Sequence, residues 1–351
     1  ITAALIDTLS DASKIPAFNL TINGVDYASR LEYFEYYEES YRDRAVIGLQ
    51  NRDNALDGLD LDGFEFNIKA GYNSSGHGGA AVDTVTYPEL YVKSHQIISA
   101  MGERIYQIYA EGMWMSLREQ KVMTDVTGLQ SEAYSNIFDK THTVERLIQL
   151  IIEAMGWTWV SVGTGSDDGG ATFYNESDGI IDSFHPVFDV NQAPFEPAAS
   201  LLYRLVWMTK HYLRPRAGRA FESVYPQDAD EVDETYYSYQ HPYFEEYDEM
   251  SKLLIPNSIV VLCDLRPDVD EVERYHIFGT VSDADQIAKY REVVDVYVDG
   301  SITSQSDANN RAAAILTRIK AEILGGRFTL PFHDPRVELY DRVQIIDTRG
   351  F

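Results

Sequence analysis

Cysteine is almost absent from this sequence. One residue, Cys263, in 351 excludes a disulfide framework and any cysteine-based metal site. Cys263 closes the apolar run 258–263 and reads as a small buried side chain. No apolar stretch reaches the roughly 20 residues of a transmembrane helix, which excludes a helical membrane span. Positive charge is also scarce: 29 Lys and Arg, of which nine are Lys, face 56 Asp and Glu, for a formal charge of −27. Such a surface repels nucleic acid and anionic membranes and argues against a DNA-binding role.

Several signatures of chemistry are missing too. The cluster Gly163, Gly165, Gly169, Gly170 fits neither G-x-G-x-x-G nor a P-loop, because Asp167 and Asp168 stand where phosphate must approach. Ser166 lacks the glycines two residues away on both sides that a nucleophile elbow needs. Asp53, Asp57, Asp60 and Asp62 crowd one loop, but after Gly63 an EF-hand would place a Glu where Lys69 stands. A solvated hairpin loop is the expectation there. His185 and His241, in HPVF and HPYF, belong to no H-E-x-x-H pattern and read as openings of extended segments, and His77 in the Gly/Ser-rich stretch 72–81 has no second ligand nearby in sequence. Carboxylate pairs suited to glycoside hydrolysis are set by the fold, and with 56 acidic residues some pair is bound to occur. The sequence therefore predicts no catalytic residue, no cofactor and no metal.

What is present is a chain with 44% hydrophobic residues, enough for two or three cores. Phe18, Leu20 and Ile22 alternate as a strand does, Asn23-Gly24 supplies a type I′ turn, and Val25 and Tyr27 continue. The acidic, aromatic stretch 33–41 precedes a strand over 45–49, and strand-like text resumes over 89–119. Its tyrosines read as a strand face packed on neighbours, with a partner surface as the alternative. Val144, Leu147, Ile148, Ile151, Ile152 and Met155 predict a helix capped by Thr143 and ended by Gly156, followed by a strand through Trp157, Trp159, Val160 and Val162. A second helix is predicted over 197–213. The text is β-like again over 253–263, 275–281 and 293–298. Polar residues 124–140 and acidic residues 228–234 mark the boundaries. The predicted organisation is a first β-barrel domain over 1–125, an α/β domain over 126–228, and a second β-barrel domain with a packed amphipathic helix over 229–351.

The stretch 309–350 carries Ala312, Ile315, Leu316, Ile319 and Ile323 on one helical stripe, with Arg311, Arg318, Lys320 and Glu322 on the other face. Ser306 and Asp307 are the expected caps, and Gly325-Gly326 the expected helix stop. Phe328, Leu330 and Phe332 then predict a strand, 333–335 a turn, and 337–346 the return strand of a hairpin. A chain that opens on Ile1 and stops at Phe351 in what reads as a hairpin loop is expected to be the ordered part of a longer protein. A cleaved signal peptide would also account for the missing Met, and nothing in the chain favours one.

An Ala-rich helix, Gly-Gly, a short strand and then ELYDRVQIIDTRG resembles the C-terminal part of the tail hub (baseplate hub) proteins of tailed bacteriophages, the late-control-D-like hub family. The stretch 41–72, YRDRAVIGLQNRDNALDGLDLDGFEFNIKAGY, resembles that family's N-terminal barrel, with an acidic loop and a D-L-x-G turn between strands. The two stretches cover about a quarter of the chain. The resemblance implies an α+β, mainly β fold: two antiparallel tube-like β-barrel domains with an α/β domain between them, the barrels built in places from discontinuous segments. It implies a structural virion protein at the tail tip or baseplate that closes the tail tube as a homotrimer and adapts six-fold tube to three-fold tip. The implied neighbours are a tail tube or distal tail protein, a tail-tip or spike protein and the tape measure protein, with DNA only in transit. The competing classes are an acidic secreted cell-wall or polysaccharide hydrolase and a receptor-binding tail-tip module. One basic cluster stands out, Lys210, Arg214, Arg216 and Arg219. Either it complements a helix C-terminus, or it is an interface for an acidic surface of another copy or partner.

Overall fold

The computed structural model describes residues 1–11, 13–100, 102–122, 137–161, 177–189, 196–227, 230–251, 255–265, 275–300, 302–321 and 324–349. Gly163, Gly165, Ser166, Asp167, Asp168, Gly169 and Gly170 lie outside these residues, as do Val162, Glu322, Ile323 and residues 124–136 and 228–229 of the predicted boundaries.

Period-two alternation in the first hundred residues builds one antiparallel sheet. After a short helix α1 (Ala3–Leu9) come β1 (Pro16–Ile22), β2 (Val25–Asp26), β3 (Leu31–Glu39), β4 (Arg42–Gln50), β5 (Glu65–Tyr72), β6 (Asp83–Thr86), β7 (Leu90–Ala100) and β8 (Glu103–Gly112). Their order is β2-β1-β5-β7-β8-β4-β3, with β6 on β5. Asn23 and Gly24 take φ of 50° and 75°, as a type I′ turn requires, and Ile22 pairs with Val25 across it. The register aligns Ala45 with Ala110, Ile47 with Ile108 and Leu49 with Tyr106. These residues share one core with Leu20, Ile22, Phe66, Ile68, Leu90 and Val92, on which Phe34 and Tyr36 of the acidic stretch also pack. The sheet thus curls around its own apolar face. Its hydrogen-bonded path ends at β2 and β3, and no closed barrel is formed among the described residues.

The chain leaves β8 through Gly112 into helix α2 (Met113–Glu119), where the sequence predicts more strand. The reason is local: the buried Asp43 carboxylate lies against Gly112 at the start of the helix, where negative charge is favourable. Only glycine fits at 112, since a Cβ there would lie 1.6 Å from Asp43 Oδ2. Next come β9 (Ile137–Asp139), α3 (Val144–Ala154), β10 (Thr158–Trp159), β11 (Val187–Asp189), α4 (Ala198–Val206), β12 (Tyr212–Arg216) and β13 (Ala220–Val224). Helix α3 matches its prediction: Thr143 accepts from Arg146 N–H, and Gly156 has φ 79°. Helix α4 ends seven residues before the predicted limit, because 212–216 pairs with 220–224 as a hairpin instead.

The remaining elements are β14 (Glu234–Tyr237), β15 (Glu246–Ser251), β16 (Ser258–Leu265), β17 (Tyr275–Ser282), α5 (Ala284–Lys289), β18 (Val294–Val298), α6 (Gln305–Ala321), β19 (Leu324–Thr329) and β20 (Val343–Ile346). Strand outweighs helix, 39% against 22%, so the fold is mainly β. Strands β17-β16-β18 form a sheet whose inner residues Ile259, Val261 and Cys263 pack against Ala308, Ala312 and Ile315 of α6. The helix comes so close that a Cβ on Gly279 would lie 1.9 Å from the Ala308 carbonyl oxygen. This core is continuous with that of α2, α3 and α4, where Trp114, Trp157 and Phe221 pack ring on ring.

Three expectations for the C-terminal stretch are corrected. Helix α6 is capped by Ser304, whose Oγ accepts from Asp307 N–H at 3.1 Å and donates to Asp307 Oδ2 at 2.5 Å. Gly325 and Gly326 lie inside β19, opposite Met250 and Glu249, and Gly326 lets the partner backbone approach closely. The predicted hairpin does not form: β19 pairs with β15 and β20 with β14, both long-range.

Candidate interaction sites

The basic cluster sits on the β12–β13 hairpin and the turn before it, not at a helix end. Its centre is Arg214, 1% exposed, directly opposite Glu222 in the register. Its Nε donates to Glu222 Oε1 at 2.8 Å, and its Nη1 donates to Asp341 Oδ1 at 3.0 Å and to the Leu339 carbonyl at 3.1 Å. Glu338 Oε2 lies 3.3 Å from the same nitrogen and is also bonded by Arg216 Nη1. Two guanidinium groups thus tie the hairpin to the C-terminal segment. Burial pulls the Arg214 pKa down, but the charges of Glu222, Glu338 and Asp341 outweigh it and hold the group above its ordinary range. Burial pushes the Asp341 carboxyl up to about 6 despite its pairing. Glu38 of β3 is half-buried nearby. Burial first, and the Glu338 charge second, raise it to about 7.

Arg219 closes the hairpin with φ 57° and pairs with Glu65, while Glu89 accepts from the N–H groups of Gly218 and Arg219 at 2.8 and 2.9 Å. The hairpin is therefore clasped to the first sheet as well. Lys210 is half-buried, with its N–H on Asp178 Oδ2 at 2.8 Å and its ammonium 5.5 Å from the Tyr225 ring centre. Asp178 also faces the buried His211 at 3.6 Å. Burial pushes the other way, but the His211 ring beside it and the backbone N–H groups of Lys210 and Ile181 keep Asp178 below the usual carboxylate range. Beside the hairpin lies a cleft of about 420 Å³, lined among others by Glu38, Tyr87, Arg214, Arg216, His333 and Glu338.

The loop aspartates are dispersed. Asp53 pairs with Arg30 at 2.7 Å, Asp57 with Arg104 at 2.6 Å and Asp62 with His95 at 3.0 Å, while Asp60 accepts from Asp62 N–H. The loop also plugs the end of the first core with Leu56 and Leu61. His77 pairs with Asp11 at 2.9 Å, His185 Nδ1 bonds the Ser183 carbonyl, and the His241 ring lies on Tyr243. The structure does not bring these histidines together, and among the described residues no three His, Cys, Asp or Glu side chains converge as ligands.

Sequence reasoning misses Arg318. The helical stripe predicts it on the solvent face of α6, yet it is 3% exposed and its guanidinium donates to the carbonyls of Val206, Thr209 and His211. Trp207 and Tyr212 flank it at 5.0 and 4.6 Å. A signal for this exists in the spacing: residue 318 follows Ile315 by three and Ala314 by four, which puts it on the buried side.

No protein-family model matches this sequence, and no curated protein matches it either. Solved structures do share its fold. The tail protein of Neisseria meningitidis MC58 superposes with a TM-score of 0.64 at 10% identity, over 95% of this chain and 87% of that one. The tail protein of prophage MuSo2 from Shewanella oneidensis gives 0.62 at 10% identity, over 95% and 89%. A prophage tail protein of Listeria monocytogenes EGD-e gives 0.51 at 12% identity, over 88% and 80%. At these identities the likeness is one of fold.

Proposed function

We propose that this chain is a non-enzymatic structural protein of a phage-like tail: the hub that closes the tail tube as a homotrimer, joins a six-fold tube to a three-fold tip and lets DNA pass. The observation that carries this is a fold shared over 95% of the chain with two tail proteins, joined to the hub-like motifs at 41–72 and 309–350. On this reading the curled first sheet, within residues 1–125, is one tube-like barrel unit. An α/β domain follows over 126–228, and the second unit over 229–351 gathers strands from separate stretches, as the pairs β14–β20 and β15–β19 do. The neighbours would be a tube or distal tail protein, a spike or tip protein and the tape measure protein, at the tail tip or baseplate.

DNA carries one charge per about 1.7 Å of duplex and is held by Lys and Arg neutralising its phosphates. A conduit should therefore be lined by neutral or acidic groups, which repel DNA over a Debye length of about 8 Å. The outward face of β7, β8, β4 and β3 is such a surface over its middle, its cations Arg42 and Arg44 standing at one end, with Arg44 over the Tyr37 ring and near Glu39. Gln96 donates to Gln107 and Tyr109 there, and Tyr33 and Glu35 continue it. The cations Lys210, Arg214, Arg216 and Arg219 should accordingly lie away from that wall, at a subunit or partner contact. The test is a map of the assembled tail tip together with duplex binding at 150 mM salt. A trimer at the end of the tube without DNA retention is expected; absence from the tip, or cations 210–219 on the channel wall, would sink the corresponding part of the reading.

A further inference from the structure

Strand β7 has one edge that the described residues leave bare. On its outer side β5 pairs only with Tyr91 and Leu90, and the register slips at Lys93, so 94–100 runs on with β8 alone as its neighbour. The last pair is Ala100↔Glu103, two residues apart across the turn, so the ladder bonds of β7 to β8 fall at Ile98↔Ile105 and Gln96↔Gln107. The Arg104 carbonyl agrees, since it turns the other way and accepts from Asn51 N–H at 2.8 Å. His95, Ile97 and Ser99 therefore direct their N–H and C=O groups outward, and among the described residues nothing reaches them.

Two other strand edges in this chain carry side-chain contacts to their outward backbone groups. On β18 the outward N–H of Val296 is held by Asp295 Oδ1 at 2.9 Å, and on β17 the Phe278 carbonyl accepts from Gln305 Nε2 at 2.8 Å. Residues 94–100 carry none of the usual protection: no proline, no carboxylate and no register slip, with Ile97 and Ile98 at 42% and 37% exposure. A long edge free of carboxylates and proline and carrying two exposed isoleucines invites strand addition.

We infer that the β7 edge at 94–100 takes a strand from a second copy of this chain by backbone pairing. The charge pattern selects that occupant. The cations of this edge, Lys93 and His95, are met by Glu119 and Asp62 of the same chain, so the edge is locally near neutral in a chain of net charge −27, while two of the chain's own terminal strands are acidic: β3 with Glu32, Glu35, Glu38 and Glu39, and β15 with Glu246, Asp248 and Glu249. Two copies that repel elsewhere meet with less repulsion at this locally neutral place. A contact between unlike strands is heterologous and builds a ring where its rotation closes, so the inference rests on the homotrimer proposed above and names where its subunits join.

Proline on an edge whose N–H faces solvent leaves the fold intact and removes the donor. Ile97→Pro and Ser99→Pro should each weaken the trimer at least tenfold by mass photometry, with the far-ultraviolet circular dichroism of wild type. Val296→Lys, on the β18 edge, should leave assembly unchanged. Hydrogen exchange on the unmodified protein provides an independent reading: amides 97 and 99 should exchange slowly in the trimer and fast after dilution to monomer. A wild-type trimer whose amides 97 and 99 exchange fast, or one untouched by both proline variants, overturns the edge assignment and leaves the hub reading standing. Protection that appears only with a different tail protein also overturns it. A monomeric wild type overturns the edge and the homotrimer together.

Discussion

Removing the Arg318 guanidinium should be among the most damaging single changes in this chain, although composition marks it as one more surface arginine. Helix α4 ends at Val206, and the last carbonyls of a helix have no partner within it. Arg318 supplies donors to three carbonyls at or just beyond that end, at 2.9 Å to Thr209, 2.8 Å to Val206, and to His211. The Val206 carbonyl keeps the N–H and Oγ1 of Thr209 as donors, but each of the Thr209 and His211 carbonyls left without one costs about 1–3 kcal/mol, and the lost packing of the buried stem adds to this. Arg318→Ala should lose about 3–5 kcal/mol. Arg318→Met keeps most of the stem packed between Trp207 and Tyr212, so it should lose about 1 kcal/mol less, separating the packing share from the donor share. Lys320→Ala is the control: its ammonium pairs with Asp283 but is 46% exposed, and such pairs contribute at most about 1 kcal/mol. Equilibrium urea unfolding at constant slope is the assay. A loss for Arg318→Ala within 1 kcal/mol of that for Lys320→Ala would refute the buried cap.

Gly279→Ala should cost at least about 3 kcal/mol in the same assay, because its Cβ would overlap the Ala308 backbone of α6, whereas Gly76→Ala, with open space around it, should change stability by under about 1 kcal/mol. Arg214→Met should lose about 3–5 kcal/mol by stranding Glu222 and Asp341, while Arg219→Ala, 52% exposed, should lose under about 1 kcal/mol. Glu38, Asp341 and Asp43 have folded pKa values raised to about 7, 6 and 7, so the folded state holds their protons more tightly. Their ionisation therefore removes stability as pH rises from about 4 through 7. Glu38→Gln should melt higher than wild type at pH 8 and level with it at pH 4. An equal difference at both pH values would show that Glu38 does not titrate in that window.

Elements whose partners are near in sequence are legible in the amino-acid sequence itself. The turn at Asn23-Gly24 needs two positive φ angles and a register of adjacent residues, all encoded locally. Helix α3 shows its apolar stripe, its Thr143 cap and its Gly156 stop in one window of fourteen residues. The acidic loop is legible as a loop, because its aspartates never fall into ligand spacing, although which cation each one meets is not.

Where a partner lies a hundred residues away, local text points elsewhere. Gly325-Gly326 reads as a helix stop until β15 is present to pair with it, and 337–346 reads as a returning strand until β14 takes 343–346 in parallel. The basic cluster is visible as a composition, but Arg214 becomes a buried tie only once residues 338–341 are folded onto it. The β7 edge has no sequence signature at all, since bareness is a property of what fails to lie beside it. Composition and periodicity determined a cysteine-poor, acidic, mainly β chain with an amphipathic helix near its end, because hydrophobic period and charge are local quantities. Which strands pair, which arginines are buried and which edge stays open were decided by tertiary structure, because backbone hydrogen bonds are alike at every residue and choose partners only through long-range packing.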